Sequence, residues 1–221
     1  MNTRYLALGV LAIVAAAPAA AFAGVVTLYD SYTGNTPVEY TGYQAGGASL
    51  VAQEFAASSS NFNSLSLALS VDNPSDGGSV MVYLIPDSNA WQTGDGSIPV
   101  DAVTIGTYAD SRFSPTANGA PGLTQITTNQ TLSVGDQYWI AVQGSATSTF
   151  EWWVGSNQPG IGTANQLSGD NGDGGWGVYD IGTQYSLGQY SMIIDMPEPG
   201  TIAILGLGLA GLGLARRRPA A

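Results

Sequence analysis

Leu65, Leu67, Leu69 and Val71 alternate with Ser64, Ser66, Ala68 and Ser70. A side-chain period of two is the signature of a strand with one apolar face and one small polar face. No long helical period appears between residues 25 and 195; short apolar runs alternate there with clusters of Gly, Asn, Ser, Asp and Pro, the rhythm of strands and turns. The continuous apolar run 80–85 predicts a central strand covered on both sides. Further strands are predicted at 25–30, 49–56, 103–108, 123–128, 138–143, 150–154, 176–179 and 191–195. That number of strands suits an all-β fold, a two-sheet antiparallel β-sandwich of jelly-roll-like type.

The ends differ from this middle. Residues 1–4 carry one positive charge, Arg4, residues 5–17 are apolar, and Ala21-Phe22-Ala23 precedes Gly24. This three-part pattern predicts a signal peptide, helical and cleaved after Ala23, that feeds the chain to the Sec export machinery. An uncleaved anchor would need a longer apolar run, since a bilayer takes about 20 residues to span.

The C-terminal end reads Pro197-Glu198-Pro199, then an apolar run over 200–215, then Arg216-Arg217-Arg218. Two prolines interrupt regular structure and keep a segment extended for an enzyme to grip. The apolar run predicts a transmembrane helix, and the arginines form a positive stop on the cytoplasmic side. A helix of that length measures about 24 Å against a hydrocarbon core of about 30 Å, which makes it a modest and temporary anchor. These three parts in this order resemble the PEP-CTERM protein-sorting signal. The resemblance implies recognition by an exosortase, a membrane-embedded transpeptidase-like enzyme, in a bacterium that makes exopolysaccharide. It also implies a stay in the inner membrane before processing. Gly206 to Gly211 spells G-x-G-x-x-G, but a dinucleotide site needs a preceding strand and a later acidic residue; in a membrane helix these glycines allow close packing. The predicted division is therefore signal peptide 1–23, extracytoplasmic β-sandwich 24–195 and sorting segment 196–221.

Within that middle, Val26-Thr27-Leu28-Tyr29-Asp30, Ala52-Gln53-Glu54-Phe55 and the run from Leu132 to Val142 resemble the choice-of-anchor domains, exported bacterial β-sandwiches joined to alternative anchoring tails. The resemblance implies a fold and a destination and assigns no activity.

Charge and composition narrow the chemistry. Residues 24–196 hold one cation, Arg112, against fifteen carboxylates. Such a surface repels phosphate backbones, so nucleic acid is not an expected partner, while divalent cations are attracted. The chain has no histidine and no cysteine, which removes Ser-His-Asp catalysis, histidine-based zinc hydrolysis, thiolate metal sites and disulfides. Carboxylate chemistry remains. Glu39, Glu54 and Glu151 are the glutamates available to the domain, and Glu151 beside Trp152 and Trp153 is the best acid for a glycoside hydrolase, which would need a second carboxylate placed with it. No such partner can be read, and the chain is expected not to be an enzyme.

Binding suits these residues better. Trp91, Trp152, Trp153 and Trp176, with Tyr179, are the candidate glycan contacts, because aromatic faces stack on sugars while Asp, Asn and Gln read hydroxyls. Adjacent Trp152 and Trp153 would point to opposite faces of a shared strand, one into the core and one outward; the plainer reading of any of them is a core residue. Asp170-Asn171-Gly172-Asp173-Gly174-Gly175 could supply calcium ligands, with Asp180 completing the site if the chain folds back, or it is simply a tight turn. No other cofactor is expected. The leading expectation is a non-enzymatic structural or adhesive protein of the cell envelope, extracellular matrix or biofilm, associated with exopolysaccharide. A carbohydrate-binding module and a carboxylate glycosidase are the alternatives.

Overall fold

Alternation is carried furthest in three strands that lie side by side, β3 (Leu50–Ala56), β10 (Gln137–Gly144) and β6 (Ser79–Pro86). Val51, Phe55, Tyr138, Ile140, Val142, Val80, Val82 and Leu84 project into the main core. Their sequence neighbours Leu50, Ala52, Trp139, Ala141, Tyr83 and Ile85 form a second apolar cluster on the opposite face, against which Met81, Ile98 and Ala102 pack. The sheet is therefore buried on both sides, and the continuous run at 80–85 does occupy a strand covered on both faces. The computed structural model describes residues 25–32, 45–46, 50–87, 98–116, 122–154, 166–170, 176–180 and 189–197. The predicted signal helix and transmembrane helix fall outside them.

This sheet has six strands in the order β13 (Trp176–Asp180), β12 (Gln166–Asp170), β3, β10, β6 and β7 (Val103–Ala109). Facing it across the main core is a sheet ordered β1 (Val25–Asp30), β14 (Met192–Pro197), β4 (Asn61–Leu67) and β9 (Thr124–Thr131). Every pairing within these two sheets is antiparallel, and together they make the expected sandwich. Phe55 sits at its centre, edge-on to Phe62 of the opposite sheet at 6.4 Å between ring centroids and stacked on Tyr138 at 6.0 Å.

A third, smaller sheet runs β2 (Ala45–Gly46), β11 (Thr149–Trp152), β5 (Leu69–Val71) and β8 (Ser114–Pro115), with β5 and β8 parallel. It continues the second sheet. The strand predicted from Leu65 to Val71 is divided between β4 and β5 and changes partners at Ala68, whose N–H donates to Ser191 O and whose carbonyl accepts from Trp153 N, both at 3.0 Å. Below that point the run pairs with β14 and β9, and above it with β11 and β8. No ladder donor is lost at the change, which is what burial of the backbone requires.

Candidate functional site

The chain enters and leaves the sandwich at one corner. β1 and β14 pair antiparallel from Val25↔Pro197 to Asp30↔Ile193, with an irregularity between Thr27 and Tyr29. Met192 and Ile194 fill the core while Ile193 and Asp195 take the other face, the alternation that fixes register in a half-buried strand. Thr27 Oγ1 donates to Asp195 Oδ1 at 2.8 Å across the pair. The ladder ends at Pro197 for a chemical reason: proline has no N–H to donate, and another proline follows at position 199. At this open end Val25 is 67% and Val26 37% exposed, so the corner is accessible from solvent.

Deeper in, side chains lock the same two segments together. Ser31 Oγ donates to Tyr190 O at 2.6 Å and accepts from Met192 N at 3.0 Å. Tyr29 donates its phenol proton to Gln189 Oε1. Burial pushes this phenol above its ordinary range, helped by the negative charges of Asp30 and Glu54 and opposed by a hydrogen bond with Ser31. Gln53 reaches across from the six-stranded sheet, its Oε1 accepting from Tyr190 N at 3.0 Å. Trp152 stacks on Tyr190 at 4.9 Å and donates its indole N–H to Ser191 O at 3.1 Å. The entry to β14 is thus held from three directions by buried groups. β14 is also the sole sheet neighbour of β1 among the described residues, so the first strand waits for almost the last residues before it can pair.

Of the sorting residues, Pro197 closes β14; Glu198, Pro199, Arg216, Arg217 and Arg218 lie outside the described residues, as do Trp91, Asp173 and Glu39. Trp152 and Trp153 are both buried, at 3% and 4% exposure, where one was expected to face solvent. The two do point to opposite faces. Trp152 joins the main core, and Trp153 donates its indole N–H at 2.7 Å to Ser70 Oγ, which faces away from the core side of Leu69 and Val71. That outer side is covered as well, with Ser70 fully buried and touching Thr116 Oγ1 at 3.1 Å.

Asp170 and Asp180 end β12 and β13, and Trp176 begins β13 opposite Asp170. Asp180 pairs with Gln166, about 13 Å along the hairpin from Asp170 at 3.3 Å per residue, so the strand pairing sets those two backbone positions at opposite ends of the hairpin. Glu54 and Glu151 stand in different sheets. A shallow polar cleft was not singled out by any sequence signal: Pro86, Asp87, Gly135, Asp136, Gln137 and Tyr138 line it, and one of these residues, Gln137, has a buried Oε1 without a hydrogen-bond partner.

Comparison with known families adds one finding at this corner. The family model described as the PEP-CTERM protein-sorting motif matches residues 197–218, beginning at the residue where β14 ends. The chain is thereby marked as an exported protein with a C-terminal membrane sorting signal and an exosortase as its processing partner. No curated protein matches the chain.

Proposed function

We propose that this β-sandwich, delivered by its PEP-CTERM motif, serves without catalysis as a structural or adhesive component of the cell envelope or extracellular matrix, in association with exopolysaccharide. The observation that carries this reading is the Val25↔Pro197 pairing. Signal peptidase cuts after Ala23 and exosortase acts at Pro197 to Pro199, so both processing sites flank a single corner and the rest of the surface stays free for lateral contacts. No linker separates the fold from its motif: the apolar run begins at Gly200, within about 10 Å of Pro197 for an extended chain. The domain therefore waits at the membrane, already folded, until the tail is cut. A composition without histidine or cysteine and a surface edge of Thr, Gln and Asn on β9 support a contact role over a chemical one.

Intact mass and fractionation test the delivery. The expected mature form begins at Gly24, ends near Pro199 and leaves the inner membrane, while Glu198→Ala keeps the tail and stays membrane-bound. Full-length protein in the cytosol would sink the reading. The matrix role is tested by sedimenting the mature form with exopolysaccharide from the producing strain; no co-sedimentation removes it.

A carbohydrate-binding module is the second reading, and its support moves from the buried tryptophans to the cleft at Gln137. A buried carbonyl oxygen without a donor is costly unless a ligand hydroxyl meets it. Gln137→Ala should then abolish glycan retention in an affinity gel, and unchanged retention would exclude the cleft.

A further inference from the structure

Three turns converge at one end of the six-stranded sheet: the β5–β6 connection 72–78, the short 3-10 turn Asp110–Arg112 that follows β7, and the β10–β11 connection 145–148. Backbone and side-chain bonds tie them together, with Asp110 N donating to Gly78 O at 3.1 Å, Ser145 N to Ser79 O at 2.8 Å, and Ser148 Oγ to Asp110 Oδ1 at 2.9 Å. At their meeting point Asp110 is 1% exposed. Its second oxygen, Oδ2, is buried and has no hydrogen-bond partner.

That oxygen is not aimed at apolar packing. A Cβ placed on Gly78 would lie 2.4 Å from Asp110 Oδ2 and 2.9 Å from Asp76 Oδ1, so the two carboxylates converge on the space that glycine leaves beside its backbone. The turn is shaped to present them. Gly77 has φ +79°, a value that favours glycine, and Gly78 N donates to Asp76 Oδ1 at 2.7 Å. Among the described residues no cation meets the charge of the pair. Arg112, the one cation of residues 24–196, gives its guanidinium to Gln125 O at 2.7 Å and lies 4.8 Å from the Tyr108 ring centroid. The Asp110 carboxyl is accordingly pushed above the usual carboxylate range, first by burial and then by the facing Asp76, with the Ser148 hydrogen bond pulling the other way.

We infer that Asp76 and Asp110 form a binding site for a hard divalent cation, calcium by preference. Calcium takes carboxylate, hydroxyl and water oxygens at about 2.3 to 2.6 Å in flexible geometry and fills the rest of its shell with water. Asp110 supplies the buried ligand and the exposed Asp76 supplies the entry. Ser148 Oγ stands beside Asp110 as a third oxygen. With two carboxylates the site belongs to the weak class typical of extracellular modules, with Kd of about 0.1 to 1 mM. Bound metal would pin the three turns to one another and stiffen this end of the sheet. The pair is separate from the Asp170 to Asp180 hairpin.

The test is thermal unfolding of the full chain, purified in detergent at neutral pH, with calcium chloride or with chelator at matched ionic strength. About 10 mM calcium should raise the midpoint by roughly 3 to 8 °C, from the mass-action gain at that Kd and the usual conversion to temperature. Asp110→Asn and Asp76→Asn should each lose most of that rise, and Asp110→Asn should raise the metal-free midpoint, because an amide can donate to Asp76 where a second carboxylate repels it. If Asp110→Asn fails to fold, the exposed position Asp76→Asn decides. No rise in the wild type, an equal rise in Asp76→Asn, or an equal rise with magnesium would each overturn the site.

Discussion

Val25 and Pro197 are partners across the β1–β14 ladder, so the first residue of the first strand and the residue that opens the sorting motif sit side by side. β14 lies between β1 and β4, which makes the last strand a structural member of its sheet instead of an appended tail. The sheet cannot close until β14 is available to pair with β1 and β4, and the residue that ends β14 is the first of the motif. Folding and presentation of the motif are coupled by topology.

A cross-strand disulfide reports this pairing. Val26 and Met196 are directly opposed, and facing residues in an antiparallel pair stand about 4.5 to 5.5 Å apart at Cα, inside the range a disulfide spans. The chain has no cysteine of its own, so Val26→Cys with Met196→Cys allows one bond only. Exported protein should carry it, seen as the loss of two hydrogens in the intact mass, with processing at Glu198 unaffected. A fully reduced double variant recovered from an oxidising compartment would contradict the register.

Ser31→Ala tests the lock on β14. The hydroxyl bridges Tyr190 O and Met192 N in a fully buried setting, and its removal leaves both groups short of a partner. The expected loss is about 1 to 3 kcal/mol, read as a fall in the urea midpoint with unchanged slope. A variant as stable as the wild type would show that water takes the place of the hydroxyl.

The sequence made the ladders legible and the polar interior opaque. Ten predicted runs each coincide with a strand because apolar alternation survives wherever one face is buried, as at Leu65 and Leu67. β2, β8 and β12 were missed. Ala45-Gly46, Ser114-Pro115 and Gln166-Leu167-Ser168-Gly169-Asp170 carry no apolar period, and they join a sheet through backbone bonds that any residue can make. Nothing in the sequence marks Ser31, Gln53, Asp110 or Gln189 as buried, since burial of a polar side chain depends on partners distant in sequence; Gln53 and Tyr190 are 137 residues apart. The Asp-Gly-Gly at 76–78 was not singled out, and its facing carboxylate Asp110 stands far along the chain from it. Val25↔Pro197 was equally hidden, because a strand pattern states its faces and not its neighbours.

Trp153→Ala separates packing from recognition. Both indoles of the pair are buried, and that of Trp153 donates to Ser70, so truncation removes core contacts and leaves the Ser70 hydroxyl with Thr116 alone of these two partners. The expected cost is about 3 to 5 kcal/mol, similar to that of Trp152→Ala, measured by chemical denaturation. A Trp153→Ala protein that keeps its stability but loses glycan retention would return the residue to the list of glycan contacts.

Tyr29 sets a limit at high pH. Its phenol lies fully buried on Gln189 with Asp30 and Glu54 nearby, so the folded chain holds the proton more tightly than the unfolded chain, where tyrosine titrates near 10. A raised folded value means that the contribution is complete below about 10 and drains away as pH climbs through the folded value, because only the unfolded state releases the proton in that window. Urea midpoints taken from pH 8 to 11 should therefore fall steeply above 10. Tyr83 and Tyr108, also raised by burial, contribute to the same fall, so Tyr29→Phe should flatten the curve without levelling it. The variant should start about 1 kcal/mol lower at neutral pH through loss of the Gln189 bond, and the two curves should converge as pH rises. Curves that stay parallel would mean that the Tyr29 phenol ionises as readily in the folded chain as in the unfolded one.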